Sequence, residues 1–415
     1  MAHLIVLAVG LVAYSVFSTR SWFFYDDWYY LVRNANVIWA HHVGHWSTVP
    51  ALVFLAIQRT FGMDHYLPFA LPAILAQLAA VHFVWRLTVR AGVRAWIATA
   101  FTVLLVFLGA GAEALAWAVQ IGFVGAIAGT LGAVVLLDSE RLSWLRGLSA
   151  AILVLLSLAS SGVAIPFVGS AIALAWVRHG LLRTLAVFAV PLGAYAAWFL
   201  IERGTGGSLV AGGAETLESA PRFAISMLDD GFGRMFPIAV LGGLVFVALM
   251  VWWIFTVHDA RRRGLAAYLL FPAAAAFALL TGFTRAEYGL ETASSSRYVF
   301  VVVIAIAPFM ALCFDLATRR APLIPAVTLV LIVAAWNAGG TVEALAIRAH
   351  RVDSTRSELA RAAATLRATP GCLADSDRPS PQWAPDVTVA DVRWWLAQGW
   401  YHPAPSAPEP SCPSR

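Results

Sequence analysis

An all-α, polytopic transmembrane bundle of about eleven spans is the fold class this sequence predicts, on three observations. Hydrophobic residues make up 60% of the chain and charged residues only 12%, with a mean hydropathy of +0.76, a balance no soluble domain carries. Eleven apolar runs are as long as a bilayer-crossing helix or nearly so. Almost every acid and arginine lies at the edge of a run rather than at its middle, where water or headgroups solvate the charge.

The runs lie at about 3–18, 67–85, 95–111, 117–137, 147–160, 162–177, 184–201, 236–256, 265–282, 298–316 and 322–340, against the roughly 20 residues a bilayer needs. The first has no basic leader, and no small-x-small cleavage site precedes Arg20, so it reads as an uncleaved span. The short pair around Ser160-Ser161-Gly162 is a re-entrant hairpin or two tilted spans. Residues 19–66 form a large first loop. Within it Pro50 to Phe61 is apolar but too short to cross, as in a helix lying in the interface. Residues 202–235 form a second loop, in which Gly204-Thr205-Gly206-Gly207 reads as a linker. No Gly-Lys-Ser/Thr follows to make a nucleotide loop. Residues 283–297 form a third loop. The chain thus divides into a transmembrane domain, 1–340, and a small tail, 341–415. The tail opens as a charged amphipathic helix from Arg348 to Arg367 and turns Pro-rich around Trp394-Trp395 and Trp400-Tyr401. It is too small to stand alone and is expected to pack on the outer loops, with its last dozen residues disordered.

Every one of the 28 basic residues is Arg, the mark of a GC-rich bacterial genome. They are scattered over short loops, so the formal charge of +5 implies no nucleic-acid partner. Alternate loops sort them. One set holds Arg86, Arg90, Arg94, Arg141, Arg146, Arg178, Arg183, Arg261, Arg262, Arg263, Arg319 and Arg320 in short connections. The other holds Arg20, Arg33, Arg59, Arg203, Arg222, Arg234, Arg285 and Arg297 over much more chain. The positive-inside rule makes the first set cytoplasmic. The N-terminus is then inside, and the first loop and the tail are outside. Several of the 17 Trp fall near span ends, where an amphipathic ring suits the headgroup zone. Cys313 falls in a late span as an inert core residue. Cys372 and Cys412 share the tail and are placed to pair in an oxidising compartment.

The candidate chemistry clusters on the outer side. Phe23-Phe24-Tyr25-Asp26-Asp27-Trp28 follows the first span. Neighbouring carboxylates repel, which raises one pKa toward a useful base, and adjacent side chains point apart, so one of Asp26 and Asp27 faces a substrate. The bland alternative is a helix cap or a pairing with Arg20 or Arg33. Glu113, in the tight turn Gly109-Ala110-Gly111-Ala112-Glu113, either reaches the same pocket or simply marks the water line. His41, His42 and His45 lie beside Trp39 and Trp46. On a helix His41 and His45 would share a face at the spacing of metal ligands, although hydrogen bonding to a sugar or phosphate by His42 and His45 suits them better. No cofactor is expected; a divalent metal would need the aspartates to complete its shell. Arg285, Glu287, Tyr288, Glu291, Ser294-Ser295-Ser296, Arg297 and Tyr298 form the third loop and the entry to the tenth span. Arg297, with Arg285 and Tyr298, stands where an outer-leaflet phosphate would lie, and guanidinium grips phosphate with two donors. The alternative there is snorkelling to headgroups or pairing with Glu291. His82, alone in the second span, reads as a satisfied core histidine.

In order and sidedness these residues resemble the GT-C superfamily of membrane glycosyltransferases. Within it they look like bacterial enzymes related to protein mannosyltransferases and the lipid A aminoarabinose transferase. The likeness rests on Asp26-Asp27 after the first span, Pro50 to Phe61-Gly62, the basic inner turn with Arg86 and Arg90, Glu113, and Ser296-Arg297-Tyr298. It is strongest over the first 120 residues. The resemblance implies a polyprenyl-phosphate sugar donor in the outer leaflet and a cell-envelope glycan, lipid or protein acceptor. Asp26 or Asp27 would then be the base, with Glu113 beside them; Arg297, Arg285 and Tyr298 would hold donor phosphate, and His42, His45 and Trp28 would hold substrate. The chain departs from the pattern in having no Lys and only a small tail. A lipid-linked-sugar flippase or transporter, which would depend on His82 or a gated cavity, and a non-catalytic envelope-assembly protein are the competing readings.

Overall fold

The computed structural model describes residues 1–34, 36–115, 117–204, 214–369 and 371–403. Its helices are α1 (Ala2–Ser18), α2 (Thr48–Phe61), α3 (Leu67–Arg90), α4 (Ala95–Val106), α5 (Ile121–Leu137), α6 (Trp144–Leu158), α7 (Ala164–His179) and α8 (Leu181–Gly204). There follow α9 (Ala214–Gly233), α10 (Ala239–Thr256), the single turn α11 (Ala260–Arg263), α12 (Leu265–Arg285), α13 (Ser296–Thr318), α14 (Leu323–Ala368) and α15 (Val389–Gln398). Among the described residues no strand forms, only an isolated bridge between His42 and His45. In lipid an apolar chain has to satisfy its peptide groups internally, and the helix does that within one segment. All eleven apolar runs accordingly fall on helices. Seven stretches among the described residues are long and apolar enough to cross a membrane, whereas α1, α4, α6 and α7 are shorter apolar helices.

The helices are layered by how much of their surface protein covers. α13 is the centre, with every side chain from Tyr298 to Cys313 buried. It packs on α12, α9 and α3, and α5 packs between α3, α6 and α7. α10 buries only Gly242 and Leu249, and an apolar helix that hides so little is solvated by lipid rather than by protein. The short pair around Ser160-Ser161-Gly162 resolves into α6 and α7 joined by a turn at 159–163.

Three segments take shapes that the apolar runs alone do not give. Part of the second loop is the helix α9, not a connection. Ala220, Phe223, Ala224 and Met227 recur at helical spacing and are all buried, and α9 packs on α12, α10 and α13. Its polar face had hidden this stripe by lowering the mean hydropathy. Residues 205–213, most of the glycine run, lie outside the described residues. The segment from Pro50 to Phe61 is helical as α2, with Ala51, Phe54 and Gln58 turned inward. The last span and the amphipathic start of the tail are one 46-residue helix, α14, which passes residue 340 without a break.

Beyond α14 the tail is fastened to the first loop by backbone contacts. Tyr25 N donates to Trp383 O at 3.0 Å and Met63 N to Trp400 O at 2.6 Å. Trp395 Nε1 donates to Leu31 O at 2.9 Å, and Arg33 N to Asp391 Oδ1 at 2.9 Å. Cys313 is buried. Cys412 lies outside the described residues, and its pairing with Cys372 with it.

Candidate active site at the mouth of the bundle

Asp27 fixes the first loop to the helices. Its side chain is fully buried. Oδ2 accepts from Phe24 N at 3.0 Å and from Tyr66 Oη at 3.2 Å, and Oδ1 accepts from Val119 N at 2.8 Å. Burial pushes its pKa up to about 7, against these three bonds and the nearby Arg348, which favour the charge. A carboxylate with both oxygens so engaged is an anchor. Asp26 points the other way, as adjacent side chains must, and lines two cavities. Burial raises the Asp26 pKa; Arg297 pulls it down, Glu113 pushes it up and Arg285 pulls it down.

The larger cavity, of about 1030 Å³, opens between the first loop, the 109–113 turn and α14. Its ionisable lining is Asp26, Glu113 and Glu343 with Arg234, Arg297, Arg348 and Arg351, so cations outnumber anions on its wall. A second chamber of about 400 Å³ lies on the other side of Asp26 and Arg297, among His42, His45, Gln120, Phe123, Arg285 and Tyr298. The third, of about 360 Å³, shares His45, Arg285 and Tyr298 with the second. Asp26 and Arg297 are common to the first two, with Arg297 Nη1 3.8 Å from Asp26 Oδ2. Arg297 Nε is buried with no hydrogen-bond partner among the described residues. The guanidinium stands 5.5 Å from the Tyr298 ring centroid. Arg285 donates to the carbonyl of Val43 and lies over Tyr288.

Glu113 organises the start of α13. Its Oε2 accepts from Ser295 Oγ at 2.8 Å and from Arg297 N at 3.3 Å, and its own N–H donates to Ser296 Oγ at 2.9 Å. An acid at a helix N-terminus satisfies donors that the helix leaves unpaired. The same contacts bring Arg297 to the cavity wall.

The signal that sequence reading missed is on α14. Asn337, Thr341 and Arg348 grip the turn before and after Glu113. Asn337 Oδ1 accepts from Ala110 N at 3.3 Å, and Thr341 Oγ1 donates to Phe107 O at 3.2 Å. Arg348 donates to Leu115 O at 3.0 Å and Ala112 O at 3.3 Å, and lies 5.5 Å from the Trp117 ring centroid. Arg348 is buried; in the sequence it is one arginine of an amphipathic helix.

The histidines do not share a helix face. His42 N donates to His45 O and His45 N to His42 O, while Gly44 N donates to His41 Nδ1 at 3.2 Å, which makes a tight reverse turn. Gly44 has positive φ there, and so does the β-branched Val43, at 50°. Tyr25, next to Asp26, has φ 49°. Such backbone is costly for side-chain-bearing residues and collects at functional sites, and both residues line the cavities. Among the described residues no group of three or more His, Cys, Asp or Glu is placed to hold a metal ion. Trp28, expected at the substrate, is instead fully buried and packs on Trp22, Phe23 and Trp395, because the turn that presents Asp26 rotates it inward. His82 is not alone: its Nδ1 lies 3.0 Å from His3 Nε2, and His3 Nδ1 lies 3.1 Å from Thr102 Oγ1.

The described residues thus form an all-helical bundle, with stretches apolar enough to cross a membrane, in which a carboxylate and arginines wall cavities beside the first loop. A crystal structure of ArnT from Cupriavidus metallidurans bound to undecaprenyl phosphate is similar to this chain. The TM-score is 0.53 at 13% identity, covering 88% of this chain and 80% of that one. At that identity the likeness is one of fold, and it extends well beyond the first 120 residues. No protein-family model and no curated protein matches the sequence.

Proposed function

We propose that the protein transfers a sugar from a polyprenyl-phosphate donor to a cell-envelope glycan, lipid or protein at the outer face of the bacterial plasma membrane. The observation that carries this reading is Asp26 beside Arg297 at the wall shared by a basic cavity and a second chamber. In the reaction the acceptor hydroxyl oxygen attacks C1 of the sugar and its proton passes to the Asp26 carboxylate. The C1–O bond to phosphate breaks with its electron pair going to the phosphate. Burial raises the Asp26 pKa, which strengthens it as a base. Arg297 meets the negative charge that grows on the leaving phosphate, and its unpaired Nε–H is a donor for it. Glu113 holds Arg297 in place through the start of α13. The fold of a structure that binds undecaprenyl phosphate supports a lipid-phosphate donor, and the arginine asymmetry of the loops supports the outer face.

The test is transfer from labelled polyprenyl-phosphate sugars in membranes carrying wild type, Asp26→Asn or Asp27→Asn at matched protein levels. Loss of roughly 10²–10⁴-fold is expected for Asp26→Asn, with normal folding. Equal transfer by wild type and Asp26→Asn would remove Asp26 as the base. Movement of intact donor across the bilayer, without sugar transfer, would favour a flippase. His82 gives that alternative little support, since its ring is bonded to His3 and lines none of the three cavities.

A further inference from the structure

The second chamber differs in chemistry from the basic cavity beside it. Much of its polar lining is uncharged: Gln120, Ser160, Ser161, His42 and His45. Burial, then Arg285, hold His42 and His45 down to about 4 and about 3, so both rings are neutral at physiological pH and offer one donor and one acceptor each. Phe123 and Tyr298 form an aromatic wall, their rings near parallel at 20° with centroids 6.5 Å apart. Gln120 is only 3% exposed, yet its Oε1 has no hydrogen-bond partner among the described residues. A buried acceptor without a partner is costly unless a ligand or water meets it.

Interleaved neutral donors and acceptors beside aromatic faces match a sugar ring, which has hydroxyls around its rim and C–H groups on its faces. The charges on the wall narrow the class. Arg285 and Arg297, against the single carboxylate of Asp26, leave the wall net positive, which disfavours a protonated amino sugar. An uncharged ring meets no such penalty. About 400 Å³ is within the range of small-molecule sites.

We infer that this chamber binds the ring of an uncharged sugar through Gln120, His42, His45 and the Phe123–Tyr298 wall, and discriminates against amino sugars. The inference rests on the transferase reading for what then happens to the sugar, but not for the binding itself.

The test is saturation-transfer NMR on the full chain in nanodiscs, because glycosidic detergents would themselves occupy the chamber. The probes are methyl pyranosides and glucosamine, at pH 7. Transfer to a methyl pyranoside, with little to glucosamine, is the expected result. Gln120→Met should weaken that binding roughly threefold to tenfold, the effect of one hydrogen bond. It should leave thermal stability equal or higher, because it removes an unpaired buried oxygen. If Gln120→Met fails to fold, Ser160→Ala replaces it with the same expected loss of binding. No binding by any methyl pyranoside, glucosamine binding as tightly, or full binding by the folded variants would each overturn the inference. Undecaprenyl phosphate binding, followed in parallel by native mass spectrometry, separates the two proposals. Lipid bound without sugar overturns the chamber assignment alone, and sugar bound without lipid leaves it standing while removing the donor.

Discussion

Asp26 Oδ2 and Arg297 Nη1 lie 3.8 Å apart, across 271 positions of sequence, and each is about one-third exposed, at 31%. The separation is too long for a strong hydrogen bond and short enough for each charge to govern the other. In the proposed mechanism the pair is therefore poised, and either member can turn to a substrate.

Arg297→Gln tests that coupling. In the proposed mechanism Asp26 must be ionised to accept a proton, so transfer should fall as pH drops through its pKa. Arg297 holds that pKa down; removing it should move the acid limb of the pH–rate profile to higher pH and lower the maximal rate. An unmoved limb would show that the two charges do not interact during the proposed reaction.

Asp27 predicts a pH dependence of stability with a definite sign. Its pKa is about 7 in the folded chain and roughly 3.9 unfolded. The folded state therefore binds the extra proton between these values, and this group's contribution to stability falls as pH rises from about 4 to about 7. Asp27→Asn should flatten that slope in thermal unfolding at several pH values, with a loss of about 1–3 kcal/mol near pH 4 from disturbed hydrogen bonds. A wild-type melting curve that rises with pH across this window for the same group would contradict the assignment.

Arg348→Ala should destabilise by about 2–4 kcal/mol, since it strands the carbonyls of Ala112 and Leu115 and opens the packing on Trp117. Arg348→Lys should recover only part, because one ammonium cannot reproduce the planar fork that reaches two carbonyls. Thermal unfolding of the purified variants reads both effects.

Gly109 and Gly169 give opposite outcomes for one substitution. A Cβ at Gly109 would press on Asn337 O and stand 2.8 Å from Thr341 N, both backbone atoms of α14. Gly109→Ala should therefore cost about 1–3 kcal/mol by forcing the turn off the helix. Gly169, within α7, has nothing within 4 Å of an added Cβ. There alanine should gain about 0.4–1 kcal/mol by restricting the unfolded chain. Equal melting temperatures for the two variants would refute the close docking of α14.

The helices were legible where composition alone decides them. A run such as 298–316 is helical because lipid offers its peptide groups no partner, and that holds whatever packs beside it. The first loop was also legible as a place where polar groups gather, since Asp26, Asp27, His42 and His45 stand beside apolar runs that cannot solvate them. Glu113 and Arg297 were recognisable as edge charges. Their contact through the first turn of α13 was not.

The remainder belongs to tertiary structure. Asp26 and Asp27 are chemically alike, and only the backbone donors of Phe24 and Val119, together with Tyr66, make one an anchor and leave the other on the cavity wall. Arg348 and Arg361 belong to the same amphipathic helix; one is buried against carbonyls more than 230 positions away in sequence and the other is exposed. Solvation is set by neighbours in space. The sequence by itself determined which segments are apolar enough to enter a membrane and which charges lie at their edges, because transfer from water is a property of each residue. Which of those charges share a cavity was decided by the fold, because desolvation and pairing are properties of contacts.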